Sequence, residues 1–479
     1  MKLIKGIAFF SLALVGALSL AGSSRAEVWT VPAPQGQGVE NAYKVKVDGQ
    51  DVAIYRSFDQ EQGSGEYYFG SFEFTGKVQI EITGPFALDK ATVAPDRFGV
   101  KIVKQSSEAA TLEADKPFQI SFEPNGRVKP LILFGLAPET DAPKEGDPNV
   151  IYYGPGNHKP DVIKLTDNQT LYIAAGAVVN GGVVACGKNI TIRGRGVLAG
   201  TMWERFKGPC AHTIYAHDCD NLTIRDLILR DSWSWTCVCV NSKNVTVDGL
   251  RICASNMIND DALDLGNVKN AKVTNCFFRS QDDCIAIKGL DNNRRYGITN
   301  DNRYPCENID VEDCVFWTDR ANIFRIGYEC ETSAMRNIRA KNIDVLYYSV
   351  DYREPSHYWC NAIIWLQPNQ EMLMSNCAFD NFRIRSNKIR GVMLMAKAMQ
   401  CKYEIHPDPV PGKLENCELS NFTVYGEPGF DGVLHFEGYS EQSYVKNIRI
   451  RNFNYYGKKI DANSPLIEIG PFTEGIVIE

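Results

Sequence analysis

Three nine-residue stretches, NLTIRDLIL at residues 221–229, NVTVDGLRI at 244–252 and NAKVTNCFF at 270–278, share one pattern. Each begins with Asn, alternates apolar with other residues, and has a polar or small residue in the middle. An alternation with a period of two is typical of β-strands, and the central residue divides each copy into two short strands. Six further copies begin at other asparagines along the chain: Asn189, Asn308, Asn337, Asn376, Asn416 and Asn447.

The copies begin 23 to 40 residues apart, a period typical of stacked repeats. Each coil would carry several short strands, and each strand would pair in parallel with its equivalent one rung, roughly 4.8 Å, away. Asn suits the bends because it tolerates a left-handed backbone and because its amide can bond along the stack. The repeat therefore predicts an all-β fold with a parallel β-solenoid at residues 150–479.

The residues before the repeat have a different pattern. Residues 27–136 contain alternating runs such as SFEFTGKVQIEITG, separated by Gly, Asp and Pro, without the Asn repeat. Such runs predict a small N-terminal antiparallel β-sandwich, which residues 137–149 would link to the solenoid. Residues 1–26 combine early lysines, an apolar run and small residues, which is typical of a signal peptide. We therefore expect a secreted or periplasmic protein with no membrane association after signal cleavage.

Composition narrows the possible partners and cofactors. The net charge of −7 disfavours nucleic acid as a partner, and it does not indicate an oligomeric state. The chain has 15 cysteines, and their spacing predicts neither a zinc site nor any other metal or cofactor site. Four of them fall at apolar repeat positions and are predicted to stack in the core: Cys276, Cys314, Cys377 and Cys417. Five lie between repeat units and are disulfide candidates: Cys210, Cys306, Cys330, Cys360 and Cys401.

Two acidic segments, NDDALD at residues 259–264 and SQDDCIAIKG at 280–289, occupy consecutive repeat units. Alignment by their own pattern places residues of neighbouring rungs side by side: Asp260 with Asp282, Asp261 with Asp283, and Asp264 with Ala286. The same register, extended outward, places Trp235 before Asp261, Asn322 after Asp283, and Arg325 in the row of Asp264. The carboxyl groups of Asp261, Asp282 and Asp283 should therefore lie within several ångströms of one another.

Such crowding favours one kind of chemistry. Like charges in one site disfavour simultaneous ionisation, so the pKa of one carboxyl group should rise while the others stay ionised. Hydrolysis of a glycosidic bond needs one protonated acid for the departing oxygen and one carboxylate that activates water or attacks the sugar. We therefore predict that Asp261, Asp282 and Asp283 are catalytic residues of a glycoside hydrolase.

The paired acidic segments, with Asp261 and Asp282 separated by 21 residues, resemble the signature of the polygalacturonase-like glycoside hydrolases. This resemblance implies a right-handed parallel β-helix and an inverting reaction. Asp282 would be the general acid, and Asp261 and Asp283 would hold the attacking water. The chain departs from that family where a Gly-His-Gly segment is expected, because Asn322 lies nearest to the expected His. It also has no convincing match to the Arg-Ile-Lys segment that binds a uronate carboxylate.

The chain is also similar to the dextranase and isopullulanase family, in which a β-sandwich precedes the helix. The stretch CVFWTDRANIFRIGYE at residues 314–329 resembles the corresponding stretch of that family. This resemblance implies inverting hydrolysis of an α-glucan by an aspartate trio.

Aromatic side chains can stack on pyranose rings, and polar groups can bind hydroxyl or acidic substituents. Candidate substrate-binding residues around the acids are Trp235, Asp264, Lys288, Asn322, Arg325, Tyr328, Glu329, Arg353, His357, Trp365 and Lys397. The expected partner is a polysaccharide or oligosaccharide. Three alternatives remain open at this point: a polygalacturonase-type pectinase, a polysaccharide lyase whose acids bind calcium, and a non-catalytic glycan-binding solenoid.

Overall fold

The computed structural model describes residues 26–39, 41–58, 65–289, 305–330, 332–348, 362–369, 372–387, 391–399, 410–427 and 432–479. These residues form 41 β-strands and one short 3₁₀ helix, Asp96–Phe98. Within these ranges, no helix is long and apolar enough to span a bilayer.

The first eleven strands form the predicted sandwich. They are β1 (Glu27–Trp29), β2 (Lys44–Val47), β3 (Gln50–Val52), β4 (Ile54–Ser57), β5 (Tyr67–Thr75), β6 (Val78–Thr83), β7 (Thr92–Ala94), β8 (Lys101–Gln105), β9 (Ala109–Ala114), β10 (Phe118–Arg127) and β11 (Leu131–Leu136). One sheet has the order β1-β5-β11-β10-β7, with β4 also paired to β5, and the other has the order β3-β2-β6-β9-β8.

The expected purely antiparallel pairing of the sandwich is wrong at one place. Strands β5 and β11 pair in parallel, with Leu131 beside Tyr68 and Leu136 beside Glu73. After β5 the chain crosses to the opposite sheet at β6, returns at β7, and crosses again for β8 and β9. It comes back through the β10–β11 pair, so β11 runs in the same direction as β5. The alternating sequence predicts which residues form strands, but it does not determine the direction of pairing between distant strands.

Thirty strands follow in one continuous sheet. They are β12 (Val150–Tyr153), β13 (Gly156–Leu165), β14 (Thr170–Ile173), β15 (Ala177–Ala185), β16 (Lys188–Gly194), β17 (Val197–Ala199), β18 (Ile214–His217), β19 (Asp220–Arg225), β20 (Ile228–Arg230), β21 (Cys237–Val240), β22 (Lys243–Asp248), β23 (Arg251–Ala254), β24 (Leu263–Gly266), β25 (Lys269–Thr274), β26 (Phe277–Ser280), β27 (Ile285–Gly289), β28 (Cys306–Glu312), β29 (Val315–Thr318), β30 (Phe324–Cys330), β31 (Ala334–Tyr347), β32 (Ala362–Gln367), β33 (Leu373–Ser375), β34 (Ala378–Asn387), β35 (Gly391–Lys397), β36 (Lys413–Glu427), β37 (Gly432–Glu437), β38 (Val445–Tyr455), β39 (Lys458–Lys459), β40 (Ile467–Ile469) and β41 (Thr473–Ile478).

These strands wind into coils with three faces. In the central coils each strand pairs in parallel with the strand three positions later, as in β21 with β24, β22 with β25 and β23 with β26. The first face therefore contains β18, β21, β24, β27 and β30, the second contains β19, β22, β25 and β28, and the third contains β20, β23, β26 and β29. The predicted right-handed parallel β-helix is confirmed.

The interior of the helix is a continuous apolar column. The four cysteines predicted to stack in the core, Cys276, Cys314, Cys377 and Cys417, are all buried in it. The prediction of a disulfide at Cys210 is wrong, because its thiol is free and donates to the carbonyl oxygen of His212 at 3.1 Å. Cys306 donates to the carbonyl of Lys288 at 3.1 Å, and Cys360 and Cys401 lie outside the described residues.

The repeat asparagines form the predicted ladder at one bend. All nine have a left-handed backbone with φ between 56° and 64°. Their side-chain amides bond from rung to rung, as in Asn221 to Asn189, Asn308 to Asn270 and Asn337 to Asn308, each at 2.9 Å. At one rung the acceptor is a carboxylate, because Asn244 donates to Asp220 at 2.9 Å. The ladder satisfies polar groups at the bend and keeps each coil in register with the next.

The sandwich covers the third face of the helix. Its residues Tyr67, Phe69 and Phe134 pack with Phe277 and Trp317 in one apolar cluster. The guanidinium group of Arg279 lies between the rings of Tyr67 (3.9 Å) and Trp317 (4.3 Å). The sandwich therefore shields the third face of the helix from solvent.

We predict that Asn308→Ala lowers the free energy of unfolding by about 2–3 kcal/mol, because Ala strains a left-handed bend and removes two ladder bonds. Asn308→Gly is the matched control, since Gly accepts the same backbone and removes only the bonds. Urea unfolding followed by circular dichroism should show a larger loss for Ala than for Gly. An unchanged Ala variant, or a Gly variant with the larger loss, would contradict the role of the ladder.

Candidate active site

The acidic residues lie in equivalent turns of consecutive coils, each between a third-face strand and a first-face strand. Asp261 lies between β23 and β24, Asp282 and Asp283 lie between β26 and β27, and Asn322 lies between β29 and β30. The predicted register is confirmed, because Asp264 pairs with Ala286 and Ala286 pairs with Arg325. Stacking therefore gathers side chains that are distant in the sequence.

Asp260 fixes one turn against the next. Its buried carboxylate accepts hydrogen bonds from the backbone N–H groups of Gln281 (2.7 Å) and Asp282 (3.1 Å). Asn259, just before it, has a left-handed backbone with φ of 70°, which Asn tolerates better than most residues. Asp260 therefore holds the backbone of the second acidic turn in place.

The trio of Asp261, Asp282 and Asp283 is compact. One carboxylate oxygen of each lies within 4.8 Å of the others. Asp261 and Asp283 are buried, whereas the side chain of Asp282 is 18% exposed. Asp282 is therefore the member of the trio most accessible to a large substrate.

Two neighbours compensate the buried carboxylates. The ammonium group of Lys288, itself buried, lies 3.2 Å from Asp261, 3.0 Å from Asp264 and 3.4 Å from Glu329. Asn322 donates to one oxygen of Asp283 from its backbone (3.0 Å) and from its side-chain amide (2.6 Å). Lys288 thus supplies positive charge, and Asn322 fixes the orientation of Asp283.

Burial also shifts the proton affinities of these groups. Burial raises the pKa of Asp283 to about 6, and the charge of Asp282 adds to this shift. Burial raises the pKa of Asp264 to about 7 although Lys288 opposes the shift. Burial likewise holds the pKa of Asp261 well above its usual range. The cluster can therefore hold and release protons near neutral pH, as acid–base chemistry requires.

Arg325 lies one rung beyond Ala286 with its guanidinium group over two aromatic rings. Its carbon Cζ lies 4.1 Å from the ring centre of Tyr328 and 3.8 Å from that of Trp365, and it donates to Gln367 at 3.0 Å. Tyr328 has a left-handed backbone with φ of 75°, which is strained for a bulky residue. These three candidates form one group beside the trio, with Trp365 buried beneath Arg325.

Trp235 lies next to Asp261 as the register predicts, but it offers no open face to a sugar. It is only 4% exposed, Lys288 Nζ lies 3.6 Å from its ring centre, and His212 stacks on it at 5.4 Å. Trp235 therefore helps to enclose Lys288, and its role in substrate binding stays a prediction.

Of the remaining candidate residues, one lies far from the trio and two lie outside the described residues. Lys397 on β35 lies three rungs beyond Lys288, about 14 Å along the stack, and pairs with Glu437 at 2.9 Å. It does not reach the trio. Arg353 and His357 lie outside the described residues.

Three residues near the site were not predicted: His212 on Trp235, Gln367 on Arg325, and Arg320, whose guanidinium lies 4.0 Å from Asp282. Arg320 shares the turn of Asn322, so the register could have identified it. His212 and Gln367 lie outside the acidic segments, and no sequence pattern connects them to the site.

The trio also has the composition of a possible cation site. Three carboxylates within 4.8 Å are hard oxygen ligands of the kind that Ca²⁺ prefers. Lys288 already places a positive charge against Asp261, so the site has charge compensation from the protein itself.

We predict that Asp264→Asn becomes more stable relative to the wild type as the pH rises from about 4 to about 8. Because the pKa of Asp264 is raised from 3.8 to about 7, the folded state keeps a proton that the unfolded state releases, so wild-type stability falls as the pH rises through this range. The variant lacks this penalty. Urea unfolding at both pH values measures the difference, with Asp310→Asn, whose side chain is partly exposed, as the control. A difference that is the same at both pH values would contradict the raised pKa.

Comparisons with known proteins agree with this arrangement. A family model described as Glycosyl hydrolases family 28 matches residues 161–316, a segment that contains the trio and Lys288. A "Probable polygalacturonase" of Vitis vinifera is 28% identical over 171 residues, which are 34% of this chain and 32% of the relative. The alignment thus spans about a third of that relative's length.

Similar solved structures extend over more of the chain. Dex49A from Penicillium minioluteum has a TM-score of 0.65 at 14% identity, covering 94% of this chain and 96% of its own. A hyperthermoactive exopolygalacturonase from Thermotoga maritima has a TM-score of 0.51 at 17% identity, covering 69% and 84%. Residues 161–316 thus match family 28, and the predicted resemblance to polygalacturonase-like and dextranase-like glycoside hydrolases with a parallel β-helix is confirmed.

Proposed function

We propose that the chain is a secreted glycoside hydrolase that cleaves glycosidic bonds of a polysaccharide by inversion, with residues 1–26 as its export signal. The observation that carries the proposal is the trio of carboxyl groups from two consecutive coils, with oxygens within 4.8 Å of one another. Simple adhesion to a glycan does not require buried, compensated carboxylates at one point of the stack.

Asp282 is proposed as the general acid. Its side chain is 18% exposed, so a glycosidic oxygen can reach it, and Arg320 at 4.0 Å can stabilise the carboxylate that remains after proton donation. In the form of the enzyme in which Asp282 carries a proton, that proton passes to the departing oxygen as the bond from that oxygen to the anomeric carbon breaks.

Asp261 and Asp283 are proposed to hold the attacking water. A water that hydrogen-bonds to two carboxyl oxygens at about 2.7–3.0 Å spans about 4.3–4.7 Å between them, and one oxygen of Asp261 lies within 4.8 Å of one oxygen of Asp283. Asp283, with a pKa of about 6, is suited to accept the proton of the water near neutral pH. Asn322 keeps this carboxylate aimed at the same point.

A neutral α-glucan is the proposed substrate class, with polygalacturonan as the alternative. The cations beside the trio are already in contact with the protein's own groups. Lys288 lies against Asp261, Asp264 and Glu329, Arg320 lies against Asp282, and Arg325 lies over Tyr328 and Trp365. A uronate would have to replace these contacts, whereas a neutral chain needs no cation.

We predict that Asp282→Asn lowers kcat by about 10²–10⁴-fold, because the amide cannot donate the proton that the departing oxygen needs. Release of reducing ends from the best substrate measures the loss, and circular dichroism and the melting temperature verify the fold. Asp310→Asn is the matched control, since Asp310 is a carboxylate on the second face that pairs with Arg339 at 2.8 Å. A folded Asp282→Asn variant that keeps most of its activity would refute the role of Asp282.

We also predict, from the resemblance to the polygalacturonase-like hydrolases, that the first product released from dextran or pullulan has the inverted anomeric configuration. The carboxyl oxygens of the trio lie within 4.8 Å of one another, closer than the roughly 6.5–9.5 Å typical of inverting pairs, so the anomer of the product decides between inversion and retention. Proton NMR during early turnover identifies the anomer, and pectate serves as the competing polyanionic substrate. A retained configuration would exclude the water-holding roles of Asp261 and Asp283.

Activity on pectate alone would exclude the neutral substrate. Unsaturated products, lost on addition of a chelator, would instead indicate a lyase.

A further inference from the structure

A second cluster of chemically distinct groups lies on the first face, toward the N-terminal end of the helix from the trio. Cys186 follows β15 directly, and His217 is the last residue of β18. Ala185 pairs with Ala216, so Cys186 and His217 are neighbours on adjacent rungs, roughly 4.8 Å apart along the stack. Asp218 follows His217 at the bend. Sulfur, nitrogen and carboxylate oxygen are thereby brought to one point.

We infer that Cys186, His217 and Asp218 form a binding site for a borderline divalent cation such as Zn²⁺. One ligand atom of each lies within 4.8 Å of the others. The inference is independent of the glycosidase proposal, because none of the three residues takes part in it.

The ligand set selects the class of metal. Thiolate and imidazole together favour Zn²⁺ over Ca²⁺ or Mg²⁺, which prefer oxygen ligands. Zn²⁺ binds sulfur at about 2.3 Å and nitrogen or oxygen at about 2.0–2.2 Å, so tetrahedral ligands lie about 3.5 Å from one another. A contraction from 4.8 Å needs only side-chain rotation, because Cys186 and Asp218 are both exposed. Water would complete the tetrahedron.

Local contacts fix the positions of His217 and Asp218, and metal binding would replace at least one of these contacts. Asp218 has a left-handed backbone with φ of 53°, and its carboxylate accepts a hydrogen bond from the Asn241 side chain. His217 Nδ1 lies 2.8 Å from the other oxygen of Asp218, and its ring stacks on Tyr215 at 5.0 Å. The carboxylates of Asp218 and Asp167 both lie near the Cys186 thiol. The same two carboxylates attract a cation, and metal binding would release the thiol proton to the solvent.

Cobalt titration of the purified, reduced chain tests this inference, because Co²⁺ replaces Zn²⁺ and a thiolate ligand produces a charge-transfer absorption in the near ultraviolet. We expect this band in the wild type, and we expect its loss in Cys186→Ser. Cys210→Ser is the matched control, since Cys210 is also a free thiol outside the buried core, and it should keep the band. Asp282→Asn should keep it too, because the acid trio has no sulfur. A failed glycosidase assay would not affect this result.

Calorimetric titration with Zn²⁺ gives a second, independent measurement. His217→Gln keeps the thiol and removes the imidazole, so it should weaken Zn²⁺ binding by about tenfold or more. Absence of the thiolate band in the wild type, its persistence in Cys186→Ser, or unchanged Zn²⁺ affinity in His217→Gln would each overturn the inference.

Discussion

The hydrogen bond between side-chain amides of asparagines on adjacent rungs is the interaction on which the rest of this structure depends. Each repeat Asn occupies a left-handed bend, and six of them donate to the equivalent Asn one coil away, as Asn308 does to Asn270 at 2.9 Å. A shift by one residue would break this bond and would move apolar side chains from the interior to the surface. The ladder and the alternation of strand residues therefore specify the same register, and both act on every coil from Asn189 onward.

The register that is set at the Asn bend also determines which side chains meet at the turns between the third and first faces. The turns between the third and first faces follow the same stacking, so Asp261, Asp282 and Asp283 meet although they lie on two different coils. The burial of so many carboxyl groups is unfavourable, and it raises the pKa of Asp264 to about 7 and that of Asp283 to about 6. Lys288 and Asn322 offset part of this cost through the contacts that orient the trio. The sandwich contributes indirectly, because it buries the third face and stabilises the coils behind the turns.

The sequence was sufficient for those parts of the structure that repeat. The Asn pattern predicted the parallel helix, and alignment of two acidic segments predicted the pairing of Asp264 with Ala286 and the placement of Asn322 after Asp283. Features that do not repeat along the chain could not be predicted from these patterns. The parallel pairing of β5 with β11 depends on the path of the chain between sheets. The burial of Trp235 depends on His212 and Lys288, which arrive from other coils. No repeat pattern predicted the rung on which Lys397 lies, and the structure places it three rungs from Lys288.

We propose that the stacked coils aim three aspartates at one glycosidic bond. A crystal structure of Asp282→Asn with an uncleaved glucan oligosaccharide tests this claim most directly. We expect the glycosidic oxygen within about 2.6–3.2 Å of the residue 282 side chain. We also expect a water bound to both Asp261 and Asp283 on the opposite side of the sugar. An oligosaccharide bound elsewhere along the helix, or one whose scissile oxygen faces away from residue 282, would contradict the account.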